Sequence, residues 1–314
     1  MENLIFSLNA TVPVFLLMVL GLFLRKIGWI DDYFADKINK FVFRVPLPLV
    51  LFNDLATVDF SMAWDTKFVL YCFAVTIISI TISAAVSCLW KDKDIRGEFI
   101  QSCYRSSAAL LGIAFIQNIY DSAGVAPLMI IGSVPLYNVM AVLVLSLSGN
   151  GRGDHDKVAL KNALKGILTN PIILGITAGL LWSALKIPLP YIMKRTVENV
   201  SGLATPLGLI AMGASFDIKK VFAKIKPSVT AAFIKLIGFC VLFLPVAVYL
   251  GFRREELVAI LVMLGSSTTV TGYVMARNMG HDGVLYSGVV MLTTLCSAFT
   301  LTGWLYVLRS LGLV

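Results

Sequence analysis

Two short runs of small and hydroxyl-bearing residues interrupt otherwise apolar sequence. The first is Gly265-Ser266-Ser267-Thr268-Thr269-Val270-Thr271-Gly272, inside an apolar segment from about Leu257 to Met279. Ser266, Ser267, Gly272 and Asn278 recur as Ser106, Ser107, Gly112 and Asn118, each 160 positions earlier. Glycine loosens a helix, and hydroxyls compete for its backbone groups. In hydrocarbon such a break is tolerated only where protein buries it or where it lines a watery cavity. The chemistry on offer is binding rather than bond-making. Each helix that restarts after a break presents free N–H groups and a positive dipole end, which favour an anion. Two such ends facing each other make a carboxylate the natural ligand group. The competing reading is that these residues only let helices pack closely.

Charged and amide side chains near the runs extend the candidate site. Arg105 lies directly before the first break. It has two readings: a fork that pairs with a substrate carboxylate, or a side chain that snorkels to the surface marked by Arg96, ~14 Å away. Lys235 lies at similar depth in another apolar segment. It either offsets the negative ends of the first half-helices, binds the anion, or snorkels. Asn138, after Pro135, is placed at the crossing of the two breaks. Asn53 and Asp54 are the coupling candidates; Asp54, one of few carboxylates near an apolar segment, reads either as a proton carrier or as a group that caps the helix or faces water. His155 and His281 fall in loops, so no embedded imidazole relay is expected. No Ser/His/Asp set, metal-ligand spacing or phosphate loop is present, and no enzyme, metal or cofactor is implied. Gly149–Gly153 reads as a flexible loop.

Elements of a particular kind must position these residues. The chain has 314 residues, 58% hydrophobic and 14% charged, with a mean hydropathy of +0.86. Soluble domains carry about 25% charged residues, so this is an integral membrane protein, with room for about ten spans. The net charge of +8 resides in short loops at span ends and forms no stripe interleaved with aromatics. It therefore speaks for membrane orientation and not for nucleic acid. The cysteines Cys72, Cys88, Cys103, Cys240 and Cys296 read as small packing residues. The first apolar run has no basic flank or cleavage site and reads as a retained span.

The expected spans are Leu8–Leu24, Ile38–Ala56, Phe68–Trp90, Glu98–Tyr120, Ala123–Leu147, Asn170–Leu185, Val197–Phe216, Pro227–Gly251, Glu255–Met279 and Val284–Leu308. The fourth and ninth are the broken ones. In the tenth, Val289 is expected to face lipid. A polar loop at 149–157 divides the chain into a first five-span repeat, 1–148, and a second, 158–314. Val158–Leu168 is read as a short interfacial helix. Thr11-x-Pro13 with Gly21-Leu22 returns as Thr169-x-Pro171 with Gly179-Leu180, 158 positions on. Pro48-Leu49-x-Leu51 with Asp59 returns as Pro206-Leu207-x-Leu209 with Asp217 at the same offset. Five spans per repeat place the halves in opposite orientations. With the N-terminus outside, seventeen of the 26 Lys and Arg lie in or beside cytoplasmic loops, against seven on the other side. The positive-inside rule thus puts both termini outside a plasma membrane.

These residues match a family pattern over essentially the whole chain. The chain resembles a bacterial member of the auxin efflux carrier family. The family's Leu-Pro-x-Leu-Leu-Phe stands as Leu47-Pro48-Leu49-Val50-Leu51-Phe52. Its Pro-Leu-x-Leu followed by Gly stands as Pro206-Leu207-Gly208-Leu209 and Gly213, and Thr293-Thr294-Leu295-Cys296-Ser297 is close to its small-residue pattern. In span four the family shows Asn-x-Gly-Phe-x-Gly-x-Pro; here those positions read Ser107, Ala109, Leu110, Gly112 and Ala114, with only Gly112 kept. In span nine the family's Pro at the break is Gly265, while Ala276 is kept. The resemblance implies an all-α fold of ten spans in two inverted five-helix repeats. Spans one, two, six and seven form a scaffold and the rest a transport domain. It also implies small organic acids as substrates, such as dicarboxylates or indole-type acids.

The expected function is a secondary carrier of small organic anions by alternating access. The expected substrate-binding residues are Arg105, Ser106, Ser107, Gly112, Asn138, Lys235, Gly265, Ser266, Ser267, Thr268, Thr269 and Gly272. The alternatives are a sodium-coupled symporter or a cation–proton antiporter of the same fold, or a non-transporting membrane receptor. The antiporter is disfavoured because neither break carries an Asp or Glu. The expected partners are the anion, the lipid bilayer and a second copy docked through the scaffold.

Overall fold

The computed structural model describes residues 2–56, 65–108, 113–120, 125–148 and 170–314. Among the described residues every regular element is helical. Gly112, the polar loop at 149–157 and the expected helix at 158–168 lie outside them.

Helix α1 (Glu2–Lys26) ends on its basic pair. The expected second span is two helices, α2 (Asp32–Arg44) and α3 (Pro46–Ala56). Asp31 starts α2 by accepting the Phe34 N–H at 2.7 Å, as an N-cap carboxylate does. Val45 ends it because a residue before proline is pushed out of the helical region. Its φ is −122° and its ψ −69°. Reading Ile38–Ala56 as one element therefore joined the end of α2 to α3. Then follow α4 (Thr66–Ser87), α5 (Arg96–Tyr104), α6 (Ile113–Tyr120), α7 (Ala126–Ser148) and α8 (Pro171–Ala184). The expected seventh span also divides, into α9 (Tyr191–Ser201) and α10 (Ala204–Ala214). A short α11 (Ile218–Ala223) leads into α12 (Ile225–Phe233), a π-helical turn (Ile234–Gly238) and α13 (Phe239–Tyr249). The chain closes with α14 (Arg254–Gly265), α15 (Val270–Asn278) and α16 (Val284–Ser310).

Five helical runs among the described residues are long and apolar enough to cross a membrane: α4, α7, Ile225–Tyr249, Arg254–Asn278 and α16. Apolar side chains such as Leu70, Leu181 and Phe299 point outward, more than half exposed. Val289 does not join them. It is fully buried, on a face of α16 that packs against the helices around it, α1, α12 and α14 among them.

Helices in lipid gain little from apolar contact alone, so close packing must hold them together. Here α1 lies on α10 and α3 lies on α8. Both contacts are made through glycine. A Cβ added at Gly21 would collide with the Ile210 carbonyl, and one at Gly179 with the Phe52 carbonyl. Gly179 follows Gly21 by 158 positions, and Ile210 follows Phe52 by the same 158. Among the other helices α4 packs with α5 and α7, and α14 with α13 and α16, while α16 also lies on α1 and α15 on α10.

Candidate functional site

The two interruptions are where the hydroxyl runs place them. Helix α5 stops at Tyr104, and Arg105 turns the chain extended at φ −71°, ψ 129°. Helix α14 stops at Gly265, and Ser266 is extended at φ −73°, ψ 163°. The chain becomes helical again at Val270, where Thr269 caps α15 through its hydroxyl. The interruptions touch. The Ser107 N–H donates to the Ser267 carbonyl at 3.1 Å, and the Thr268 hydroxyl donates to the Ser102 carbonyl at 2.8 Å. The Thr268 N–H donates to the Thr293 hydroxyl at 3.1 Å. Backbone groups freed by unwinding are thus re-paired across the crossing.

A cavity of about 460 Å³ opens on one side of the crossing. Leu47, Val50, Leu51 and Asp54 of α3, Ile172 of α8 and Thr205 of α10 form one wall. Arg105, Ser106, Ser107, Asn138, Thr269 and Thr271 face them. A second cavity of about 640 Å³ adjoins it and shares Val50, Asp54, Ser107, Thr205 and Thr269 with the first. Asn53, Ser267 and Thr268 line this second cavity.

Arg105 is the dominant charge of the first cavity. It is 3% exposed. One terminal nitrogen donates to Asn138 Oδ1 at 2.7 Å and to Thr271 Oγ1 at 2.8 Å, and the other to Met275 Sδ at 3.1 Å. Its Nε has no hydrogen-bond partner, and it makes no ion pair with any described residue. Arg105 does not snorkel to the surface: its side chain is buried and lines the cavity. A buried charge is ordinarily paired, and this one has only neutral partners. The guanidinium is therefore held in place and left electrostatically open.

Lys235 has a different setting. It is fully buried on the π-helical turn. Its ammonium donates to Leu264 O at 2.7 Å and to Met263 O at 3.4 Å. It also donates to the Ser106 hydroxyl, which in turn donates to Met263 O. Met263 and Leu264 end α14, where carbonyls lack helical partners and a cation is favoured. Lys235 thus sits behind the first cavity, which it does not line. π-Helical turns mark functional positions often; this one delivers the lysine to the end of α14.

Other expected residues are also behind the cavity walls. Gly265 lies against Cys240, and Gly272 against the ring and hydroxyl of Tyr286. Ser266 is fully buried with an unpaired hydroxyl and lines neither cavity. Gly112 is outside the described residues.

Several residues that hold the site were not foreseen. The Tyr286 hydroxyl donates to Thr269 O at 3.1 Å, and Gln101 Nε2 to Gly272 O at 3.1 Å. Glu98, 1% exposed, accepts the Gly283 N–H at 2.8 Å and the Tyr286 N–H at 2.9 Å, so a buried carboxylate caps α16. Thr271 stood within the hydroxyl run, and its position two residues past the Thr269 cap was the available signal. Tyr286, Gln101 and Glu98 carried none, since their partners are more than 15 residues away.

A bundle of long apolar helices with a cavity at two interrupted ones belongs to a membrane transporter rather than an enzyme. The chain belongs to the membrane transport protein family, matched over residues 6–305, which is the auxin efflux carrier family of the resemblance above. It is similar to an "Uncharacterized transporter" of Methanothermobacter thermautotrophicus, 19% identical over 96% of this chain and 98% of the relative. It is 25% identical to a "Putative malonate transporter" of Rhizobium meliloti, over 95% of each chain. Its fold resembles the sodium–proton antiporter MjNhaP1 from Methanocaldococcus jannaschii. The TM-score is 0.65 at 14% identity, covering 95% of this chain and 97% of that one.

Proposed function

We propose that this protein is a secondary carrier of small organic anions, carboxylates above all, which holds its substrate at the crossing and works by alternating access. The observation that carries the reading is Arg105. A buried guanidinium with neutral partners faces a cavity between α3 and the crossing, and an entering carboxylate would supply the missing counter-charge. Bidentate pairing with a carboxylate suits the fork of an arginine. The α15 N-terminus, reaching the cavity through Thr269 and Thr271, adds a favourable dipole. The malonate in a relative's name agrees with a carboxylate substrate.

The reciprocal glycine contacts support two inverted repeats. Gly21 on Ile210 and Gly179 on Phe52 exchange places under one shift of 158 positions. In this reading α1, α3, α8 and α10 are the fixed scaffold. The crossing moves past α3, exposing Arg105 to one cavity and then the other.

The test is uptake of radiolabelled short mono- and dicarboxylates by proteoliposomes. Replacing Arg105 by Gln removes the charge-assisted bonds and should cost on the order of 10- to 150-fold in affinity. Arg105→Lys should recover only part, because an ammonium lacks the fork. Uptake by Arg105→Gln equal to that of the parent would refute the site.

A further inference from the structure

Lys235 is buried completely, and nothing around it answers its charge. Its partners are all neutral: the Leu264 and Met263 carbonyls and the Ser106 hydroxyl. The turn that carries it packs on α5, α12, α13, α14 and α16. Of these, α13 has no Lys, Arg, Asp or Glu, and the other four have theirs only in their first or last turns. The titratable groups that face the ammonium are the thiols of Cys103 and Cys240 and, across a space of about 10 Å³, the phenols of Tyr104 and Tyr137.

An ammonium without a counter-ion is costly in such a place. Of the two basic side chains at the crossing, only the lysine can shed its charge, since a guanidinium stays protonated. The amine left behind still fits. It keeps two N–H groups for the Leu264 and Met263 carbonyls, and its lone pair accepts from the Ser106 hydroxyl once that turns from Met263 O. Burial and the carbonyl end of α14 pull in opposite directions, so one added charge decides between the two states. Ser106 also lines the cavity of Arg105. The hydrogen bonds therefore join the charge state of Lys235 to the space where the anion enters.

We infer that Lys235 is the proton-coupling residue of this carrier: a neutral amine when the site is empty, it takes up one proton as an organic anion enters and releases it as the anion leaves. This rests on the anion-carrier reading and adds the coupling ion to it. The anion stabilises the ammonium, and by linkage the proton stabilises the bound anion to the same extent. Solvent water in the cavity gives a proton to the Ser106 oxygen while the Ser106 hydroxyl passes its own to the Lys235 nitrogen. The reverse transfer, after the crossing has moved, returns the proton to water on the other side. Anion and proton thus travel in the same direction.

Titration calorimetry of the purified full chain decides it, with malonate, succinate, propionate and butyrate as probes between about pH 7 and 9, where carboxylates are ionised and any proton taken up belongs to the protein. Repeating the titration of the tightest binder in buffers of different ionisation enthalpy counts the protons. The parent should take up about 0.3 to 1 proton per anion, and its affinity should weaken by up to about tenfold per pH unit as pH rises. Lys235→Met should bind the anion with no proton uptake, and so should Lys235→Arg, whose charge is permanent. Both should lose the acceleration of proteoliposome uptake by an inward proton gradient that the parent shows. A parent that binds the anion without taking up a proton overturns the inference, as does undiminished proton uptake in either folded lysine variant. Where neither variant folds, Asp54→Asn decides, because Asp54 is the other titratable charge lining the cavity: proton uptake kept there supports Lys235, and proton uptake lost there moves the coupling to Asp54. A folded parent that binds none of the four acids would overturn the anion-carrier reading instead.

Discussion

Ser107 and Ser267 are joined by a single backbone hydrogen bond of 3.1 Å, the N–H of one to the carbonyl of the other. They are 160 positions apart and stand at matching places in the two hydroxyl runs. The interrupted segments therefore complete each other. What unwinding frees on one is used by the other, and any motion of the crossing carries both.

Gly272 tests how that crossing is held. The sequence suggests a glycine that allows unwinding, whereas the structure finds it helical in α15 and pressed against Tyr286. Gly272→Ala should displace the tyrosine, break its bond to Thr269 O and cost about 1–3 kcal/mol. Tyr286→Phe removes the hydroxyl that the new methyl would strike first. The double variant should therefore lose less than the two singles together, read as a coupling in melting temperature. Strict additivity would rule out the contact.

Lys235→Met should separate stability from recognition. It leaves Met263 O and Leu264 O short of a donor and frees the Ser106 hydroxyl. Each buried group left unpaired costs about 1–3 kcal/mol, so the melting temperature should fall. Because Lys235 does not line the cavity that Arg105 lines, carboxylate affinity measured well below the melting point should drop far less than in Arg105→Gln. An affinity loss as large as that of the arginine variant would make Lys235 a ligand contact.

The Asp282–Lys224 pair gives a pH signature at one end of the bundle. Burial raises the Asp282 carboxyl, but the Lys224 ammonium at 2.8 Å and the Val284 N–H at 2.9 Å outweigh it and hold the group below its ordinary value. A carboxyl lowered by folding contributes stability that is present above its unfolded value and is lost as pH falls through the folded one. Lys224→Met should thus cost less than about 1 kcal/mol at pH 7 for so exposed a pair, read as a small fall in melting temperature. The gap should begin to narrow as pH falls below about 4, the ordinary carboxyl value, and close once pH passes the lowered folded one. A gap that stays constant with pH would assign the effect to packing.

The inverted repeat predicts opposite sides for the middle loop and the C-terminus. A reporter inserted at Gly151 should be cytoplasmic, and one fused after Val314 should be outside, as the distribution of Lys and Arg requires. Finding both on one side would leave an even number of crossings between them, and the repeat would fail.

Much of this architecture was legible because the breaks contradict their surroundings. Ser, Thr and Gly in the middle of apolar sequence stand out, and both breaks fall there. Proline left a weaker mark: Pro46 ends α2 through Val45, yet apolar sequence on both sides hid the division. Arg105 was legible as a residue but not as a direction, since depth alone cannot tell an inward side chain from a snorkelling one. Tyr286 and Glu98 were not legible at all. Their work is done through Thr269 and the start of α16, and nothing local to Glu98 announces a partner 185 positions on.

The glycine contacts of α1 and α3 carry a mechanical consequence. Where Gly21 meets the Ile210 carbonyl and Gly179 the Phe52 carbonyl, no layer of side chains separates the helices. Side chains are the compliant part of a helix interface, able to change rotamer as one rod slides along another. Bare backbone has no such give, and a shift of even part of a turn would drive a Cβ into a carbonyl. At these points sliding is sterically opposed, whereas interfaces where side chains mesh can repack by changing rotamer.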